Sequence, residues 1–547
     1  MKNKGKRVVL TAVLVIFAML MTACGTSSTT GEKTASPTTT APQVGGNLVV
    51  GLTGDPYNLA PWVSNDMNAT IIMNLALPNL MDTDDSGKKI PWIMKDYKIS
   101  DDAKVYTVTI PDNLKWHDGV PFTTEDLAFT AKYLVDKKLG FGGDMYAGVE
   151  KTEIVDPTTI NYYLKEPQVN FLSQIGFWVP IMPKHIYESV DDPMNFQFNG
   201  VGYGPYKLKE YKKGEYYTFE RVADWPLAND GKGAYLENIT FRVFPDANAL
   251  ILAMKNGEVN VSGSSIPVAA QKQLEASGDQ FGVKRINSLG FGYFGFSYKN
   301  ELLKDFNVRK AIAMTIDRDA LVNTAIQGGA VKMETPISPV FTDLVKSDIK
   351  FPGFDIEGAK NVLKDAGYAD KDNDGVLESP SGKKLEFDLI YRTTTANIDA
   401  IANVFKANAE TAGFKINLKA VDPATYTDKV VKQHNFDINV IDWGAIDDAD
   451  SSLGTIYLSD ASLNFMDYKN EKIDELIKKS EVEPSYEKRI ELMNEFQKEY
   501  INELPTINTW VRVNAYGYSK NFEGWDLAPG NFGLLNSKYI VNVYKVK

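Results

Sequence analysis

Between residues 385 and 442 the chain repeats one alternation, and that alternation leaves few topologies open. Residues 385–391 read as a strand. Ile398, Ile401, Phe405, Ala409 and Ala412 then recur at the spacing of one helix face, and Gly413 stops that helix. Residues 415–421 read as a second strand, a polar-faced helix follows, and 436–442 read as a third. Strand, helix, strand, helix, strand implies parallel pairing with right-handed crossovers. Elsewhere strands come in hairpin-like pairs, as around 206–221, and residues 47–52 open the folded part as a strand before the turn Thr53-Gly54-Asp55-Pro56. The pattern predicts an α/β chain with mixed sheets and no internal repeats.

The N-terminus has a different character. Lys2, Lys4, Lys6 and Arg7 precede a 14-residue apolar run from 8 to 21, and Met21-Thr22-Ala23 leads into Cys24, the one cysteine of the chain. A basic start, a short apolar core and small residues before a cut make a secretory signal, residues 1–23. A cysteine directly after the cut resembles a bacterial lipobox, in which the thiol takes up diacylglycerol. The apolar run falls short of the about 20 residues of a membrane span. Residues 25–42 hold ten Ser or Thr in eighteen positions. Such a segment buries too little apolar surface to order itself, so 24–45 is expected to be a lipidated, disordered leash. Its root-mean-square span would be roughly 23 Å. Loss of the four N-terminal cations takes the net charge from −12 to −16, which disfavours nucleic acid and anionic headgroups as partners. About 500 remaining residues exceed one ordinary core, so at least two lobes are expected.

Two strings imitate ligand-binding motifs. Gly290-Phe291-Gly292-Tyr293-Phe294-Gly295 has the GxGxxG spacing of dinucleotide sites. It is filled with aromatics and runs on into Phe296-Ser297-Tyr298, so it reads as a Gly-rich strand rather than a turn feeding a helix. Asp370, Asp372 and Asp374, followed by Gly375, have calcium-loop spacing, but the twelfth position is Ser381 where a bidentate Glu is needed. An acidic turn is the plainer reading, and any calcium there would be structural. Three histidines, no GxSxG or HExxH string and one thiol argue against an enzyme, and no cofactor is expected.

Five segments together resemble the extracellular solute-binding proteins of family 5, the peptide and nickel receptors of ATP-driven importers. They are Leu114-Lys115-Trp116-His117-Asp118-Gly119-Val120-Pro121-Phe122-Thr123, Pro183-Lys184-His185-Ile186, Gly202-Tyr203-Gly204-Pro205-Tyr206, Asn256-Gly257-Glu258-Val259-Asn260, and Val308-Arg309-Lys310-Ala311-Ile312. Trp116, His117, Pro205 and Arg309 read as structural, and Thr123 with Asp126 as a helix cap. The resemblance implies a two-lobed periplasmic-binding-protein-like fold of the large type II variant. Its hinge would have two strands, one near 290–298 and one near 505–516. Residues 46–292 plus 512–547 would form the larger lobe and 293–511 the smaller. A monomer would deliver its solute to a membrane permease, and closure of the lobes would bury it.

Ligands of α/β sheets sit at the carboxyl ends of strands, and three loops occupy such positions. Residues 53–58 offer Asp55, Tyr57 and Asn58, residues 392–397 offer Arg392 and Thr393, and residues 443–452 offer Trp443, Asp447 and Asp448. In peptide-binding members of the family a comparable Asp pairs with the ligand's α-ammonium. Here the strict spacing falls on Ile446, beside Asp447. A Trp with several carboxylates equally suits an oligosaccharide, so peptide and sugar both stay open. Nickel is disfavoured by the scarcity of histidine.

Overall fold

The strand Thr506–Ser519 organises the molecule. Its fourteen residues are rich in β-branched and aromatic side chains and carry a single charge, Arg512, and the strand changes partners along its length. Thr506, Ile507, Asn508 and Trp510 pair antiparallel with Gly292–Phe296. Trp510, Val511 and Arg512 also pair with Ala330–Lys332, and from Val513 onward the partner is Phe281–Asn287. This computed structural model describes residues 42–60, 62, 66–190, 192, 198, 200–443, 449–530 and 532–546. The predicted signal, Cys24, the leash up to 41, Asp447 and Asp448 lie outside the described residues.

On one side of the long strand the sheet continues through Gly292–Phe296, Ile438–Asp442, Glu386–Arg392 and Lys415–Val421. On the other it runs through Val261–Ser262, Asn47–Leu52, Asn238–Val243, Tyr216–Arg221 and Tyr206–Lys212. Two main cores follow from this. One gathers buried side chains between positions 289 and 511. The other joins those between 48 and 261 to those between 516 and 543. A separate antiparallel sheet, Asp96–Ile99, Val105–Thr109, Thr159–Leu164 and Val149–Asp156, packs with the second core.

The predicted alternation is present. Glu386–Arg392 pairs parallel with both Lys415–Val421 and Ile438–Asp442. Helix Ile398–Thr411 buries Ile398, Ile401, Ala402, Phe405 and Ala409, and Gly413, at φ +92°, turns the chain out of it. The second crossover departs from one polar-faced helix. Asp422 caps a short helix Pro423–Tyr426 that runs into a π-helical segment Thr427–Lys432. The Gly-rich string is a buried strand, and its glycines answer to close approach. A Cβ at Gly292 would lie 1.9 Å from the Trp510 ring, and one at Gly295 2.3 Å from Asn439 Oδ1.

The segments that carried the resemblance hold the fold together. Thr123 and Asp126 form a reciprocal capping box on Thr124–Asp136. The capping oxygen of Asp126, Oδ2, also accepts from Trp116 Nε1 (3.2 Å), and its Oδ1 accepts from Lys184 N (3.0 Å). His117 donates from Nε2 to Gly204 O (3.0 Å) and accepts from Gly202 N at Nδ1 (3.1 Å). Arg309, buried, donates to the carbonyls of Leu303, Lys304 and Glu503.

Candidate functional site

Because Asn47–Leu52 and Val261–Ser262 run parallel, their following loops emerge at the same end of one sheet. Glu386–Arg392 and Ile438–Asp442, also parallel, release their loops together at the end of the other. The two sets border a cleft beside the long strand. Within it a cavity of about 420 Å³ is lined from one side by Ser265–Val268 and Gln271, from the other by Gln327, Thr395–Asn397 and Asp442, and at its base by Arg512 and Asn514. That volume falls within the range of small-molecule and cofactor pockets.

Arg512 is the most connected polar residue of this cleft. Its Nε donates to Asp442 Oδ2 (2.6 Å), Nη2 to Ala396 O (2.7 Å) and Nη1 to Asn397 Oδ1 (3.4 Å). Trp510 Nε1 donates to the same Asp442 oxygen (3.3 Å). The next residue, Trp443, donates its backbone N–H to Phe291 O (3.0 Å) and stacks at 28° on Phe465 with centroids 6.4 Å apart. The start of the long strand carries a polar network unusual for a core. Tyr457 and Tyr500 bond each other and Thr506, Thr506 Oγ1 donates to Asn508 Oδ1 (2.9 Å), and Asn508 Nδ2 donates to Pro336 O (2.8 Å). Buried polar groups of this kind hold a single arrangement when satisfied, which fixes the start of the long strand.

The predicted residues fall unevenly around the cleft. Asp55 accepts from Gly214 N (3.0 Å) and Tyr217 Oη (2.8 Å), so its carboxylate already pins the first loop to a neighbouring hairpin. Tyr57 is 79% exposed, and Asn58 Oδ1 accepts from Ala60 N (2.9 Å). Arg392 lies over the Tyr426 ring, 5.4 Å from its centroid, and Thr393 N bonds Val421 O (3.0 Å). Thr395–Asn397 from the second loop, and Asp442 immediately before the third, meet at the cavity; Arg392, Thr393 and the 53–58 loop do not line it. Arg512, Ser265, Gln327 and Asn514 were not legible as site residues. Arg512 left one trace: it is the lone charge in a long uncharged strand.

The acidic turn at Asp370, Asp372 and Asp374 brings its carboxylate oxygens within 4.8 Å of one another. Lys384 Nζ reaches Asp372 Oδ2 (2.8 Å) and Asp374, and its bond to Asp374 holds that carboxyl below its ordinary range. The lysine supplies the positive charge such a cluster needs.

The description "Bacterial extracellular solute-binding proteins, family 5 Middle" matches residues 88–464. The chain belongs to this family. Among family 5 relatives, the oligopeptide-binding protein AppA of Bacillus subtilis strain 168 is 28% identical over 544 residues, 97% of each chain. The solved structure of that AppA in complex with a nonapeptide superposes with a TM-score of 0.69 at 26% identity, covering 92% of this chain and all of the other. The ABC transporter substrate-binding protein CtaP of Listeria monocytogenes superposes with a TM-score of 0.78 at 25% identity, over 92% of this chain and all of CtaP. Membership explains why the sequence motifs are structural. They build the two-lobed solute-binding scaffold, and the cleft between the lobes is where one member can differ from another. Among the described residues no helix is long and apolar enough to cross a membrane.

Proposed function

We propose that this family 5 protein captures a peptide between its lobes and passes it to the membrane permease of an ABC importer, without chemical conversion. The observation that carries the reading is the polar cleft at which the strand ends of two sheets and the long strand converge. Likeness to the oligopeptide-binding AppA over nearly the whole chain supports a peptide as solute. In this reading residues 46–292 with 512–547 form one lobe, 293–511 the other, and the chain acts as a monomer. Thr395–Asn397 and the Trp443 loop, with Asp447 and Asp448, face the peptide. Cys24 carries the lipid that tethers the body outside the cytoplasm, so Cys24→Ser should leave the membrane fraction.

A ligand that binds only the folded state adds RT ln(1 + [L]/Kd), about 2.7 kcal/mol at a hundredfold excess over Kd. Thermal shift against synthetic peptides and against oligosaccharides should therefore select peptides. Selection of sugars alone would replace the peptide with an oligosaccharide, and a hydrolysed hit seen by mass spectrometry would make the protein an enzyme.

A further inference from the structure

All three nitrogens of Arg512 are committed, and to three different places. Its Nε holds Asp442, the last residue before the Trp443 loop. Its two Nη atoms hold Ala396 O and Asn397 Oδ1, at the end of the loop that follows Glu386–Arg392. Asn397 adopts φ 63° and makes no side-chain cap bond to its own helix Ile398–Thr411, although asparagine is a preferred cap residue. Its oxygen faces Arg512 instead. The arginine's own backbone lies where the long strand changes partners. It pairs with Ala330 on one side, its carbonyl accepts from Ser288 N (2.7 Å), and the next residue pairs with Asn287. The side chains of Arg512 and Asp442 are 21% and 12% exposed, so the pair is shielded enough for its geometry to count.

We propose that Arg512 is a positioning residue for solute capture: one guanidinium in the strand shared by the two lobes fixes the end of the 392–397 loop and the side chain of Asp442, the residue from which the Trp443 loop departs. A planar fork can satisfy a carboxylate, a carbonyl and an amide oxygen at once, whereas an ammonium at the end of a lysine reaches as a point charge. The end of the 392–397 loop and the Asp442 carboxylate are thereby set before binding, which removes part of the ordering cost of capture. The proposal rests on the reading that these two loops contact the solute.

The test compares wild type, Arg512→Lys, Arg512→Met and Trp443→Ala as full-length mature protein, with a tryptic digest of casein as the probe and retained peptides quantified by mass spectrometry at subsaturating concentration. Thermal midpoints without peptide, and amide hydrogen exchange across 394–400 and in Trp443, are read in parallel. The expected result is a tenfold or greater loss of retained peptide in Arg512→Met. Arg512→Lys should recover part of the loss, and both melting points should stay within a few degrees of wild type. Exchange should speed up at those two places and not in the strand Lys415–Val421. Retention within twofold of wild type in Arg512→Met, with Trp443→Ala much reduced, overturns the positioning role and leaves the site reading standing. So does a loss of retention matched by a general loss of stability that Lys does not repair. Full retention in Trp443→Ala, or none in wild type, removes the site reading, and the proposal falls with it.

Discussion

The lobes meet at the two ends of their interface, and the two contacts are built differently. At the hinge end the chain itself crosses: Thr506–Ser519 pairs with strands on both sides of the large sheet, and Arg512 ties this strand to Asp442 and to the loop residue Ala396. At the outer rim the chain does not cross. There the turn at 84–88 and the start of helix Phe171–Trp178 meet the region 340–344 and the helix Tyr486–Glu503. The contacts there include a backbone hydrogen bond from Val169 N to Glu481 O (3.0 Å), Lys88 Nζ 4.8 Å from the Tyr486 ring centroid, and Gly87 packed on Phe341. A net hydrogen bond contributes about 1 kcal/mol and an exposed cation–π contact about 0.5–1 kcal/mol. Contacts of this size can each be made and broken, so a solute's own contacts can shift the balance between joined and parted lobes. The hinge, by contrast, must survive opening.

The largest expected effect comes from disturbing that permanence. Gly292 has no room for a Cβ, which would fall 1.9 Å from the Trp510 ring. Gly292→Ala must move the ring or the strand, and overpacking of this kind costs about 1–3 kcal/mol or more. At the rim, Gly87 has φ +82° and a built Cβ would lie 3.1 Å from Phe341. Gly87→Ala adds chiefly the left-handed backbone penalty of about 1–2 kcal/mol. Urea denaturation should rank Gly292→Ala as the more damaging. The reverse order would mean that the rim, not the shared strand, holds the lobes together.

Acid offers a perturbation that acts on neither contact. His117, half-buried next to the core residue Trp116, is neutral by its bonding, and desolvation lowers its pKa below the ordinary histidine value. The unfolded chain therefore binds a proton that the folded one refuses. Stability is fully present above about pH 6.5 and is lost as the pH falls from there toward the depressed folded pKa, at a slope of up to about 1.4 kcal/mol per unit. The denaturation midpoint should fall between pH 6.5 and 5, and His117→Gln should flatten that slope. Rim-dependent solute retention, measured at fixed folded fraction, should not follow it. A flat midpoint in wild type would mean that His117 is not held neutral.

The same contrast shows what a sequence discloses. The α/β character and the parallel run ending at Asp442 were legible because period and turn residues are local: Ile398 through Ala409 mark one helix face, and Gly413 ends it. The Gly-rich string was legible as a strand because aromatics between the glycines suit a pleated, buried surface. The site was legible only as loops at strand ends. Thr395–Asn397 and the approach to Trp443 do meet at the cavity, but Asp55 proved to be engaged with Tyr217, a contact 162 positions away. Arg512 was hidden for the same reason: its partners Asp442 and Ala396 lie 70 and 116 positions distant, and no periodicity encodes them. The rim was invisible throughout, since Lys88 and Tyr486 are ordinary surface residues until the fold brings them together.

The smallest expected effect is the sharpest test of the rim. Lys88 is exposed and Tyr486 half-buried, so their contact contributes only about 0.5–1 kcal/mol, and it does so only while the lobes are together. Lys88→Ala should thus leave the urea midpoint of the empty protein nearly unchanged and lower peptide retention about twofold to fivefold, mainly through faster release. Tyr486→Leu keeps apolar volume and removes much of the ring's attraction for the cation, so it should produce a similar loss. The two changes made together should cost less than the sum of the two, because both delete the Lys88–Tyr486 contact, while Tyr486→Leu also removes the bond to Asp343 and the ring under Arg489. Additive losses would assign each residue to a separate contact. No loss in any of the three variants would mean that the rim does not contribute to the solute-bound state, leaving closure to the hinge and the solute alone.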